Sequence, residues 1–112
     1  MNTGLKNIDF SEALQLDALV DYQKGRVVSR TFAQGKNMSF TLFAFDKGEE
    51  ISAHASKGDA FVQILDGKAD ITIGDQKYSL GAGDVIAMPA GIPHALMAAE
   101  QFKMLLVVVF NA

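Results

Sequence analysis

From Gly25 onward, apolar residues come in short runs separated by turn residues. Arg26–Ala33 is β-branched and aromatic, Gln34–Asn37 is a Gly-containing turn, and Met38–Phe45 returns, so this pair reads as a hairpin. After the polar turn Asp46–Glu50, further strands are expected at Ile51–Ala55, Ala60–Leu65, Ala69–Ile73, Lys77–Leu80, Val85–Met88, His94–Ala99 and Phe102–Phe110. The turns between them fall at Lys57–Asp59, Asp66–Lys68, Gly74–Gln76, Gly81–Asp84 and Pro89–Pro93. About nine strands at this spacing predict an all-β antiparallel sandwich or barrel. The segment 5–22 is the one helical candidate, with Ser11 as its cap and Ala13, Leu14, Leu16 and Leu19 as helix formers. The pattern predicts an N-terminal extension over residues 1–24 and one barrel over residues 25–112.

Two strands do not alternate. Phe40–Phe45 and Met104–Phe110 are apolar on both faces, and a barrel wall facing water would read with period two. A second cover is required, and the expectation is a second copy of the chain. It would pack on an outer face built from Thr41, Phe43, Phe45 and alternate members of the last strand.

Composition narrows the chemistry. The 112 residues include no Cys, which excludes a disulfide scaffold, a thiolate metal site and a Cys nucleophile. The formal charge of −3, with no basic run, gives no electrostatic reason to bind nucleic acid or an anionic membrane. No apolar run approaches the ~20 residues of a membrane helix, and MNTGLKNIDF lacks the basic and apolar regions of a signal peptide, so a cytoplasmic location is expected. Gly81-Ala-Gly83 opens no helix and is not a dinucleotide fingerprint. Ser56 has no identifiable carboxylate-oriented base or oxyanion hole, so acyl transfer is not expected. Met88, Met97 and Met104 read as filler in a core or interface.

The chain has two His, and each sits where backbone geometry aims it. Pro89-Ala-Gly91 is a rigid turn, Pro93 stiffens the entry to the next strand, and His94 is that strand's first residue. His54 lies in the run Gly48-Glu-Glu-Ile-Ser-Ala-His54-Ala-Ser56.

These two segments resemble the two sequence motifs of the cupin superfamily, in its small conserved-barrel form. Gly48, five residues, His54, one residue, Ser56, three residues, Ala60, six residues and Gly67 keep the spacing of the first motif. Gly83, Pro89, Gly91, His94 and Ala98 fall in register with the second, and together the motifs cover about half the chain. The resemblance implies a double-stranded β-helix barrel. It also implies a divalent metal bound by two His and a Glu from the first motif and one His from the second. Only His54 and His94 remain here, with Ser56 and Ala60 at the other two ligand positions. By strand alternation Asp59 and Gln63 point away from the interior and do not replace them.

Two imidazoles completed by water hold Fe or Mn weakly, and ions that prefer imidazole better. The expected occupant is therefore one divalent ion (Zn, Ni, Fe or Mn) or none, between ring nitrogens about 3–4.5 Å apart. The expected ligand pocket is lined by His54, Ser56, Ala60, Val62, Ile64, His94, Leu96 and Ala98, roomy because two of them are alanines. Two functions stay open. One is a small-molecule-binding barrel with a reduced two-His metal site. The other is a metal-dependent enzyme, dioxygenase- or isomerase-like, acting on a small organic substrate.

Overall fold

The computed structural model describes residues 4–110, so residues 1–3 of the expected extension and 111–112 of the expected barrel lie outside it. Eight strands make up the body: β1 Val27–Gln34, β2 Met38–Phe45, β3 Glu50–His54, β4 Gly58–Ile73, β5 Gln76–Gly81, β6 Val85–Met88, β7 His94–Met97 and β8 Phe102–Phe110. Their order is β1-β2-β8-β4-β7-β3, with β5 and β6 also paired to β4, and every pairing is antiparallel.

The expected strands Ala60–Leu65 and Ala69–Ile73 are one strand, β4. Asp66–Lys68 bends it instead of ending it, with a register shift against β8 between Ile64 and Asp66. The first half of β4 pairs with β8 and β6, and the second with β7 and β5, so this one strand joins the two sheets. The bend depends on Gly67, whose φ is +79°. A Cβ there would lie 1.8 Å from the Gln101 carbonyl oxygen, so β8 crosses where no side chain fits.

Inside the barrel, Phe45 and Phe102 stack at 4.4 Å between ring centroids. Val62, Ile64, Ile71, Met88 and Met104 fill the rest. The expectation that Phe43 and Phe45 face outward is overturned: both belong to this interior core. Leu42 and Ala44 face outward instead, where they are buried against Val20 and Phe32, with Leu16, Leu19 and Tyr22 beside them. The second cover of β2 is thus the chain's own N-terminal segment. A run of six apolar residues carries no marker of which parity faces in, which is why the sequence pattern misassigned them.

That segment is held mostly by hydrogen bonds from side chains rather than by helix. The helical candidate is reduced to one 3₁₀ turn, Leu16–Leu19, preceded by Gln15 with no side-chain cap. Ser11 has φ 60° and caps nothing. Tertiary bonds replace helical ones. The Lys6 N–H donates to the Phe32 carbonyl at 2.7 Å, and Arg30 donates to the carbonyls of Asn7 and Leu19 at 2.7 and 2.8 Å. Tyr22 donates its hydroxyl proton to Asp66 at 2.5 Å. The Lys6 bond also covers part of the free edge of β1.

Candidate functional site

The site is a cross-strand pair. In the β3–β7 ladder His54 lies directly opposite His94, and in the β4–β7 ladder His94 lies opposite Ile73. Side chains in such a row share one face of the sheet. The imidazole centroids of His54 and His94 are 4.4 Å apart with the rings inclined by 62°. His94 is 5% exposed and His54 is exposed, so the pair sits at the barrel mouth, open on the β3 side.

Both rings are oriented by main-chain carbonyls two residues upstream. His54 Nδ1 lies 3.0 Å from the Ser52 carbonyl oxygen and His94 Nδ1 lies 3.4 Å from that of Ile92. A carbonyl only accepts, so in the neutral ring each Nδ1 carries the proton and each Nε2 keeps its lone pair. Burial pushes the His94 pKa below its ordinary value; the Ile92 carbonyl works against this and the nearby His54 adds to it. His94 is therefore a neutral hydrogen-bond acceptor at neutral pH.

Two bonds join the loops that carry the histidines. The Gly91 N–H donates to the Ser56 carbonyl at 2.9 Å, and the Ala90 N–H donates to Asp59 Oδ1 at 2.8 Å. Gly91, with φ +79°, makes the turn that Pro89 and Pro93 bracket. Asp59 is thus a positioning residue for the Pro89–Gly91 turn, a role that a lone loop acid does not reveal in sequence. Ser56 Oγ accepts from the Gly58 N–H at 3.1 Å, which closes the turn into β4.

Among the other expected lining residues, Ala60, Val62, Ile64, Leu96 and Ala98 are all in the buried core. Val62 and Ile64 have no exposed surface, so no water-sized space touches them. The expected roomy interior is filled by the aromatic and Met side chains described above, and the polar pair stands over it. Cavities of about 200 and 440 Å³ lie elsewhere, one over the outer face of β3, β7 and β4 and one between Leu5 and the β1–β2 hairpin. Asp59 and Gln63 sit opposite Val109 and Leu105 of β8, on the outward parity. Among the described residues no group of three His, Cys, Asp or Glu side chains could hold a metal ion.

A curled antiparallel barrel whose long strand serves both sheets, with one His from each of two loop–strand segments at its mouth, defines a double-stranded β-helix protein with a two-imidazole site. Residues 41–110 match the family model described as the cupin domain, and the chain belongs to that family. It is 45% identical to a conserved protein of unknown function from Streptococcus pyogenes, whose crystal structure superposes with a TM-score of 0.96 over 99% of this chain and 97% of that one. A cupin superfamily protein from Desulfitobacterium hafniense is 35% identical, with a TM-score of 0.93 over 97% and 100% of the two chains. Quercetin 2,3-dioxygenase of Bacillus subtilis is 32% identical over 79 residues, 66% of this chain and 23% of that protein. The chain spans less than two thirds of the length of the curated relatives it matches. No helix among the described residues is long and apolar enough to cross a membrane.

Proposed function

We propose that the chain is a small-molecule-binding cupin whose polar anchor is the His54–His94 pair at the barrel mouth. The carrying observation is the pair itself: two rings 4.4 Å apart, each with its Nδ1 proton committed to a carbonyl and its Nε2 free. Two Nε2 acceptors side by side suit a ligand bearing O–H or N–H donors. Ile73, in the same row, and the apolar core beneath suit a ligand whose remaining surface is apolar. Small phenols combine both features. The name of the Bacillus relative, which acts on quercetin, points to the same class.

Metal fits this site only in part. Two imidazoles favour Zn or Ni over Fe or Mn, but catalytic zinc sites usually have three protein ligands. Ser56, at one vacant ligand position, already accepts the Gly58 N–H, and Ala60 at the other carries no donor. The reading is therefore a reduced, weak site, and binding rests on the imidazoles. Metal content of protein purified without an affinity tag, followed by Zn²⁺ titration, tests this. Far less than one ion per chain as isolated is expected, with weak uptake that His54→Ala or His94→Ala abolishes. A panel of small phenols should shift amide resonances around Ile73 and His94 in the metal-free protein. A tightly held ion at one per chain would overturn the reading.

That result would favour the alternative, a metal-dependent dioxygenase- or isomerase-like enzyme. What supports the alternative is that each motif segment still supplies one His to the same spot, together with the similarity to a dioxygenase. A resident ion would there polarise a substrate oxygen, with His54 and His94 holding it. A cytoplasmic location fits either reading.

A further inference from the structure

The row that holds the histidine pair does not end at Ile73. In the β4–β5 ladder Ile73 lies opposite Gln76, so His54, His94, Ile73 and Gln76 form one row across four strands, on the inner face of their sheet. One row inward stand Ile51, Leu96, Ile71 and Tyr78. Along β5 the inward positions open toward the mouth, from buried Leu80 through Tyr78, 42% exposed, to exposed Gln76. Ile73 is half-buried between Gln76 and His94. Among the described residues no side-chain nitrogen or oxygen is both buried and without a partner, so the unpartnered His94 Nε2 reaches the mouth. The row is thus a strip across the mouth with an apolar middle and a polar group at each end. Its ends are tied together: the Gly74 N–H, in the turn before Gln76, donates to the Pro93 carbonyl beside His94 at 2.8 Å.

We propose that the site takes a neutral, single-ring aromatic with polar groups at its para ends, one bound by the histidine pair and the other by the Gln76 side-chain amide. This rests on the small-molecule reading of the pair and adds the residue that selects the ligand. Length is the first argument. Neighbouring strands lie about 4.8 Å apart, which puts Gln76 about 12 Å from the midpoint of the pair along the row. A hydrogen bond of about 2.8 Å at each end leaves about 6 Å between the ligand's own polar atoms. One benzene ring with para substituents has that span and keeps both groups in line with the row. An ortho or meta pair does not.

Donor chemistry and charge are the second argument. Nε2 accepts, so the group at the histidine end is a donor such as a phenol O–H. The Gln76 amide both donates and accepts, and a carboxamide on the ligand can exchange two hydrogen bonds with it. Neither row holds an Asp, Glu, Lys or Arg, so a carboxylate or ammonium substituent finds no such partner within the strip, and an unpaired charge is costly to desolvate. Ile73 meets the apolar body of the ring, and Tyr78, one row inward, adds an aromatic neighbour at the Gln76 end.

Titration of the full chain with phenol, 4-hydroxybenzamide and 3-hydroxybenzamide, followed by ¹⁵N NMR, tests it. The para amide should bind about 2–10-fold tighter than phenol, the worth of one neutral hydrogen bond, and should move the Gln76 side-chain amide signals. The meta amide should gain nothing over phenol. Gln76→Leu, at an exposed position, should bring the para amide and phenol to the same affinity. Lys77→Gln, its neighbour on the opposite face, should keep the preference. If phenol binds at the pair but the para amide is no tighter, the meta amide matches it, or the preference survives Gln76→Leu, the proposal is overturned and the reading of the pair stands. If none of the three compounds moves the His54 and His94 resonances, the reading of the pair fails and the proposal fails with it.

Discussion

Replacing Gly67 by Ala perturbs the strand that builds both sheets. Three contributions set the size of the effect. A residue with a Cβ at φ +79° costs roughly 1–2 kcal/mol of backbone strain. The new methyl would lie 1.8 Å from the Gln101 carbonyl oxygen and 2.8 Å from Phe102 Cα, so main chain must move. Phe102 is fully buried and stacked on Phe45, which leaves no slack there, and such overpacking costs about 1–3 kcal/mol. Against this, Ala reduces the entropy of the unfolded chain, a gain of about 0.4–1 kcal/mol. The net expectation is destabilisation by about 2–4 kcal/mol. Urea unfolding measures it as a lowered midpoint with an unchanged slope. Gly81→Ala is the control: it has no positive φ, and the nearest atom to its added Cβ is 3.9 Å away. A Gly67→Ala protein within ~0.5 kcal/mol of wild type would refute the close crossing of β4 and β8.

Three further outcomes are expected from the same geometry. Asp59→Ala removes the acceptor of the Ala90 N–H, and should cost about 1 kcal/mol while weakening Zn²⁺ uptake by the His pair, read by calorimetry. Stability should fall with acid through His94. Its pKa is lowered in the fold, so the unfolded chain binds the proton more readily. The His94 contribution is complete above its unfolded value of about 6.5 and is lost as pH falls toward the lowered value, and the pH slope should shrink in His94→Gln. Ala60→Glu returns a carboxylate to the position the cupin motif reserves for one; it should destabilise the metal-free protein by several kcal/mol and tighten Zn²⁺ binding, and unchanged affinity would mean that position 60 does not face the pair.

The strands were legible because turn residues punctuate them, and the two errors in the fold have physical causes. Asp66-Gly67-Lys68 has turn composition, yet the glycine lets β4 bend and continue, so one strand replaces two. Leu42–Phe45 lies between two cores, so period two carried no information about which face was inside. The weak helix at 16–19 reflects a segment stabilised by bonds to β1, which no local pattern encodes. At the site, the spacing of His54 and His94 was readable, since the turn at Pro89–Pro93 and the ladder register are set by the chain. The carbonyls of Ser52 and Ile92 that fix the tautomers were not, because every residue has one. Nor was the filling of the interior, where Ala60 and Ala98 suggested space that neighbouring side chains occupy.

The central claim is that the two histidines act as one site, and with two His in the chain their four ring nitrogens can be followed individually by ¹⁵N NMR. At neutral pH His94 Nδ1 should be protonated and its Nε2 bare, and added Zn²⁺ should move the Nε2 signals of both rings together along one binding curve. A proton on His94 Nε2, or a response of one ring without the other, would contradict a shared His54–His94 site.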